Sequence, residues 1–229
     1  ITINPSNDAP TAVDDPVTTD EDLVLNGASV TTNDSDLDGH TLSVNTTPLV
    51  APLHGNVLIN FDGTYAYTPT ANYFGNDSFT YQVCDNGVPV LCSSASVTLT
   101  INPVNDAPVA VADVASTDED VVLNGTSLLA NDSDPEGNSL TVTTTAVTLP
   151  LHGNLSLNSN GTYTYTPFAN YSGIDSFVYE VCDNGSPVQC ATASVSITIN
   201  PIADVPVATN DNYSTNEDVL LNGASVLVN

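Results

Sequence analysis

The sequence predicts an all-β chain of tandem antiparallel Greek-key β-sandwiches. Three observations support this: a repeat of fixed length, side chains that alternate apolar and polar with a period of two, and turn dipeptides placed between the alternating runs. Asn4-Pro5-Ser6-Asn7-Asp8-Ala9-Pro10 returns as Asn102-Pro103-Val104-Asn105-Asp106-Ala107-Pro108 and, more loosely, as Asn200-Pro201-Ile202-Ala203-Asp204-Val205-Pro206, each time 98 residues on. Within the 229 residues the stretches 71–92 and 169–190 share 16 of 22 positions. A repeat of this kind divides a chain into units that bury their apolar faces separately. The division expected here is the end of a preceding repeat (1–4), two full repeats (5–102 and 103–200) and the start of a third (201–229). More repeats are expected on both sides, so the chain reads as an internal or processed segment of a longer array.

Each repeat reads as strands in order. Val57-Leu58-Ile59 and Tyr65-Ala66-Tyr67 flank Asp62-Gly63, and Asn160-Gly161 takes the same place in the second repeat. Such dipeptides favour the positive φ that hairpins need, so a hairpin belongs there. Phe79, Tyr81 and Val83 alternate with Thr80 and Gln82, which makes a strand with one buried face. Ala95, Val97, Leu99 and Ile101 alternate in the same way with Ser94, Ser96, Thr98 and Thr100. No window has sustained helical spacing. About seven short strands per ~100 residues favour the sandwich, with a small closed barrel as the alternative.

The charge is one-sided: 22 Asp and 5 Glu stand against no Lys and no Arg. Nucleic acid is excluded as a partner because phosphate binding needs cationic side chains, and anionic membrane surfaces are disfavoured for the same reason. No apolar run approaches the ~20 residues of a membrane helix, so direct membrane insertion is not expected. With 41% hydrophobic residues the chain can nevertheless bury real cores, which separates it from a disordered acidic tail.

Cys84 and Cys92 enclose seven residues, as do Cys182 and Cys190. Zinc sites would want close C-x-x-C pairs or nearby His, and a nucleophilic thiol would want a basic neighbour. A disulfide across the base of a hairpin is the better reading, in preference to free thiols or pairing between repeats, and it points to oxidising, extracellular surroundings.

Acids cluster at three places in each repeat. Asp34-Ser35-Asp36-Leu37-Asp38-Gly39 recurs as Asp132-Ser133-Asp134-Pro135-Glu136-Gly137, Asp20-Glu21-Asp22 recurs as Asp118-Glu119-Asp120, and Asn-Asp stands at each boundary between repeats. Two carboxylates about 4 Å apart repel by about 4 kcal/mol at an effective dielectric of 20. In a chain without cationic side chains only bound ions can relieve this, and Ca2+, which takes six to eight hard oxygens, is the natural candidate. An EF-hand is excluded, because its twelfth position is Asn45 or Thr143 rather than Glu and strand patterns flank the loop.

Taken together, Thr19-Asp20-Glu21-Asp22, Asn33-Asp34-Ser35-Asp36, Tyr81-Gln82-Val83-Cys84-Asp85-Asn86-Gly87 and the terminal Asn105-Asp106-Ala107-Pro108 resemble the cadherin-like tandem repeat of large bacterial surface proteins and adhesins. The resemblance covers residues 5–200 and implies an Ig-like sandwich with calcium at the junctions between modules. Carried over, it implies that Glu21, Asp22, Asn105, Asp106, Asp132, Asp134 and Asp183 serve the junction before residue 108. Asn7, Asp8, Asp34, Asp36 and Asp85 would serve the upstream junction, and Glu119 and Asp120 with Asp204 the downstream one, where Ala203 replaces the linker Asn. The Asp-Arg-Glu motif of animal cadherins is absent, with Asp77 or Asp175 a partial substitute at best, and the recurring Asp15, Asp113 and Asp211 suit either a ligand or a turn role.

Catalysis is not expected. His54 and His152 precede Gly at one repeat position and read as strand-entry turns, no G-x-S-x-G elbow occurs, and no cationic side chain exists to stabilise an oxyanion. Tyr65, Tyr67, Tyr73 and Tyr81 could form a sugar-binding face but coincide with the strand pattern, so core packing is favoured. The expected function is a calcium-rigidified stalk or spacer of an extracellular bacterial adhesin or surface array, with neighbouring repeats as its partners. The alternatives are a module that binds surface polysaccharide or another adhesin, and a subunit of a self-assembling extracellular filament.

Overall fold

A computed structural model describes residues 6–223 and 225–226, so the strand expected at 1–4 lies outside the described residues. The first module has seven strands: β1 (Asp15–Asp20), β2 (Leu25–Gly27), β3 (Ser43–Val44), β4 (Gly55–Ile59), β5 (Tyr65–Pro69), β6 (Gly75–Cys84) and β7 (Cys92–Asn102). The second repeats them as β8 (Asp113–Asp118), β9 (Leu123–Gly125), β10 (Thr141–Val142), β11 (Gly153–Leu157), β12 (Tyr163–Pro167), β13 (Gly173–Cys182) and β14 (Cys190–Asn200). In each module a four-stranded sheet, β1-β7-β6-β3 or β8-β14-β13-β10, faces a three-stranded one, β2-β5-β4 or β9-β12-β11. The only helical turns among the described residues are two 3-10 turns, Val30–Thr32 and Leu128–Ala130, each led by a serine whose hydroxyl accepts a backbone N–H.

The alternation read in the sequence sorts the side chains. Phe79, Tyr81 and Val83 from β6 and Val97, Leu99 and Ile101 from β7 are buried, and Tyr65 and Tyr67 meet them from the other sheet. Phe79 lies opposite Val97 in the ladder and packs edge-on against Tyr65 across the sandwich, with ring centroids 5.2 Å apart. The second core, around Tyr165, Phe177, Tyr179 and Ile197, is built from second-module residues alone. Each module therefore carries its own hydrophobic driving force.

The hairpin expected at Asp62-Gly63 is present, and one other detail differs from the sequence-based expectation. The loop between β4 and β5 is longer than a two-residue turn: Gly63 N–H donates to Asn60 O at 2.9 Å, Asn60 N–H to Thr64 O at 2.8 Å, and Gly63 takes φ +84°. Asp62 Oδ1 accepts from Thr64 N–H at 3.0 Å and closes the turn, so the dipeptide marks the hairpin but not its length. The sandwich is not wholly antiparallel, because β1 runs parallel to β7 from Asp15↔Val97 to Asp20↔Asn102. Parallel neighbours cannot be joined by a tight turn, and these two, the first and last strands of the module, have no need of one.

The disulfides Cys84–Cys92 and Cys182–Cys190 join directly opposed ladder partners at the base of the β6–β7 and β13–β14 hairpins. After Asn200 the described residues form no strand and are almost wholly exposed, in place of the opening strands expected of a third repeat. The described residues there supply no second sheet that could cover an apolar face. Its Glu-Asp turn is nonetheless formed locally: Asp218 has φ +60°, against +58° at Asp22 and +61° at Asp120.

Candidate metal centre

The site is built where one module ends and the next begins. Beyond Asp20 the parallel ladder gains one more rung, in which Glu21 N–H donates to Asn102 O at 3.0 Å, and the chain then turns sharply through Asp22. Asp22 Oδ1 caps its own module by accepting from Asn72 N–H at 3.1 Å. Glu21 reaches the linker instead: its Oε1 accepts from Val104 N–H at 2.7 Å and the residue is only 1% exposed. From the second module Glu136 Oε2 accepts from Asp106 N–H at 2.8 Å, and Asp134 Oδ1 accepts from Glu136 N–H at 3.1 Å and Asn138 N–H at 2.8 Å.

Glu21, Asp134 and Glu136 each spend one oxygen on a backbone N–H and keep the other buried without a partner, Glu21 Oε2, Asp134 Oδ2 and Glu136 Oε1, and Asp106 Oδ2 is likewise buried and unpartnered. Ligand atoms of Glu21, Asp106 and Glu136 lie within 4.8 Å of one another. Burial raises the Glu21 carboxyl above its ordinary range, and the charges of Glu136, Asp106 and Asp22 push the same way. Asp106 is raised by burial and by Asp22 and Asp134. Converging acids, free buried oxygens and no cationic side chain make a donor set that suits a hard divalent cation.

The other sequence-derived residues are placed differently. Asn105 Nδ2 donates to Asp183 Oδ2 at 2.7 Å and to Pro187 O at 2.9 Å, while Asp183 Oδ1 accepts from the N–H groups of Gly185 and Gln189 at 3.1 and 2.9 Å. Burial alone would raise Asp183, but the donors Gln189, Asn105 and Gly185 outweigh it and hold the carboxyl low. These two residues form a fastener between linker and disulfide hairpin. Asn7 and Asp85 repeat it at 2.8 Å, with Pro89 O at 2.7 Å from the Asn7 amide.

Asp132 faces into its own module, where Oδ1 accepts from Val111 N–H at 2.8 Å and the Tyr179 hydroxyl stands 3.1–3.2 Å from both oxygens. Asp34 does the same with Val13 and Tyr81. Asp8 N–H donates to Asp38 Oδ2 at 2.8 Å, as Asp106 does to Glu136. At the downstream end Glu119 N–H donates to Asn200 O at 2.9 Å, Glu119 accepts from Ile202 N–H at 2.6 Å, and Asp120 accepts from Asn170 N–H at 3.0 Å. Half of that junction is thus formed, while Asp204 is exposed. Glu136, whose Oε2 meets Asp106 N–H at the linker, is not among the residues that the resemblance implies. The available signal was the acid at the fifth position of Asp-Ser-Asp-x-Asp/Glu-Gly, which recurs as Asp38 and Glu136.

Asp77 belongs to no junction. Its oxygens accept from the N–H groups of Leu53, His54 and Ser78 at 3.0, 2.9 and 2.8 Å and from the Tyr67 hydroxyl at 2.8 Å. Tyr65, Tyr67 and Tyr81 are buried, and Tyr73 stacks on His54 with centroids 3.9 Å apart.

Sandwich modules in series, with carboxylates from both sides meeting at the linker, define a tandem-domain protein of the cadherin type. The bacterial cadherin-like domain family matches twice, at residues 7–103 and 105–201, and the chain belongs to that family. Among solved structures, mouse cadherin-23 EC22-24 aligns at 18% identity over 86% of this chain and 65% of that one, with a TM-score of 0.54. Human CDH23 EC21-23 aligns at 21% identity over 81% of this chain and 72% of that one, with a TM-score of 0.51. Both likenesses concern the fold. An endo-fucoidan hydrolase of glycoside hydrolase family 107 aligns at 21% identity over 88% of this chain, with a TM-score of 0.36, and the chain spans only 30% of its length, so the match carries no argument about activity. No curated protein matches the sequence.

Proposed function

We propose that this segment is a calcium-stiffened spacer of an extracellular bacterial surface protein or adhesin. The observation that carries the reading is the convergence of Glu21 from one module with Asp106 of the linker and Glu136 of the next, each keeping a buried oxygen free. Glu21, Asp106, Asp134 and Glu136 would hold Ca2+, which supplies the positive charge that no side chain of this protein can. Glu21 is tied to the last strand of the first module, Asp106 to the linker, and Asp134 and Glu136 to the loop that opens the second. A cation shared among them joins two rigid bodies; without it, like charges press the same bodies apart. The two disulfides suit an oxidising compartment and therefore a surface location. A glycan-binding face has no comparable support, since Tyr65, Tyr67 and Tyr81 are committed to the core.

Small-angle X-ray scattering with calcium and with chelator tests the reading. The expected result is a longer maximum dimension and a narrower pair-distance profile with calcium, lost on adding chelator. Identical profiles in both conditions would overturn it.

A further inference from the structure

The two disulfides hold the same place in the fold but differ in the charge beside them. Side chains at i and i+2 of a strand share a face, so residue 82 stands beside Cys84 on β6 and residue 180 beside Cys182 on β13, with Cys92 and Cys190 directly opposite in the ladder. Residue 82 is Gln, whereas residue 180 is Glu. In the second module a carboxylate oxygen of Glu180 and the two sulfurs all lie within 4.8 Å of one another. In the first module the neighbour is uncharged, and Gln82 and Cys84 line one open hollow of about 310 Å³ that a small solute can enter. The other acids of the two hairpins match, Asp77 with Asp175 and Asp85 with Asp183, so Glu180 is the one difference in their charge.

Thiol–disulfide exchange begins when a thiolate attacks one sulfur and expels the other as a thiolate, so negative charge gathers at the sulfurs as the reaction proceeds. A fixed carboxylate at this range opposes both the arriving and the departing anion. We propose that Cys84–Cys92 is the exchangeable disulfide of the pair, opened by small dithiols, while Glu180 shields Cys182–Cys190 from the same reaction. One reductant thiolate attacks a cysteine sulfur and the S–S bond breaks; the reductant's second thiolate then displaces the remaining cysteine from the mixed disulfide. Cys84 and Cys92 end as two thiols, having taken two electrons and two protons, and the reductant leaves as its cyclic disulfide. The hairpin opened in this way is the one that fastens the upstream linker, since the Asn7 amide donates to Asp85 and Pro89 between the two cysteines. Its counterpart Asn105 has a further hold, accepting from the Asn138 amide at 2.7 Å, whereas Asn7 Oδ1 is buried and unpartnered. The linker that depends more on its hairpin is thus the one whose crosslink exchanges sooner.

The test is timed reduction of the folded full-length chain with dithiothreitol in chelator, quenched by alkylation and read by mass spectrometry of chymotryptic peptides, since a chain without Lys or Arg gives trypsin nothing to cut. The expected result is labelling of Cys84 and Cys92 about 3- to 10-fold faster than of Cys182 and Cys190 at low salt, with the gap narrowing at ~0.5 M salt. Glu180→Gln should bring the second disulfide up to the rate of the first, and Gln82→Glu should slow the first to the rate of the second. Both substitutions install the residue that the other module already carries. Equal rates in the unaltered protein, faster opening of Cys182–Cys190, or rates indifferent to both substitutions would each overturn the proposal. Calcium takes no part in the measurement, so this reading and that of the stiffened spacer fail separately.

Discussion

Glu21 is a carboxylate held in a place that disfavours its charge, and Asp77 is one held in a place that favours it. Glu21 and Asp106 have folded-state values above the ordinary 4.5 and 3.8, so in the absence of metal the folded protein binds more protons than the unfolded chain. Their contribution therefore grows more favourable as pH falls from neutral through the raised values and down to the ordinary ones. Asp77 runs the other way. Burial would raise it, but the Tyr67 hydroxyl and the N–H groups of Leu53, Ser78 and His54 prevail and lower it, so the stability it lends is present above 3.8 and is lost as pH drops through its lowered value. In chelator, the prediction is that Glu21→Gln flattens the acid-side gain at the linker and unfolds no earlier than the unaltered protein at neutral pH. With calcium, the same variant should lose most of the metal-induced rise in melting temperature, as read by scanning calorimetry. Asp77→Ala should instead cost about 2–4 kcal/mol with or without calcium, because it leaves the donors that surround it unsatisfied.

The disulfide hairpins repeat closely between the two modules, and the structure shows why their glycine is there. A Cβ on Gly185 would collide with the Asn105 side chain, and one on Gly87 with Asn7. Gly185→Ala should dislodge the linker asparagine from Asp183 and Pro187 while leaving the strands intact. The expected signature is a small change in second-module melting with a clear loss of calcium affinity at the linker, measured by titration calorimetry. Removing the crosslink with Cys182→Ser and Cys190→Ser should lower second-module stability by about 2–3 kcal/mol, the chain-entropy value for so short a loop. The first module should keep its own transition, since the two cores share no residue.

Most of the architecture was legible from the amino acids, because a period of two and a repeat of 98 residues are set by local chemistry that tertiary context reinforces. Phe79, Tyr81, Val97 and Leu99 were assigned to the core from alternation alone, and they are buried. The candidate metal centre was only half legible. Acids could be found in the sequence, but whether a carboxylate faces a cation or its own backbone depends on which N–H groups the fold brings near. Asp132 meets Val111 and Tyr179, whereas Glu136, four residues on, meets the linker. The parallel pairing of β1 with β7 was not legible either, since no turn signals a partner so distant in sequence. That pairing has a consequence for a module pulled from its two ends. The chain enters each module at the start of β1 and leaves at the end of β7, and the two strands run the same way in register over six residue pairs. A pull on the two ends of a module drags these strands past one another, so their rungs share the load in shear instead of peeling apart singly, and the direction of tension is the one the sandwich resists best.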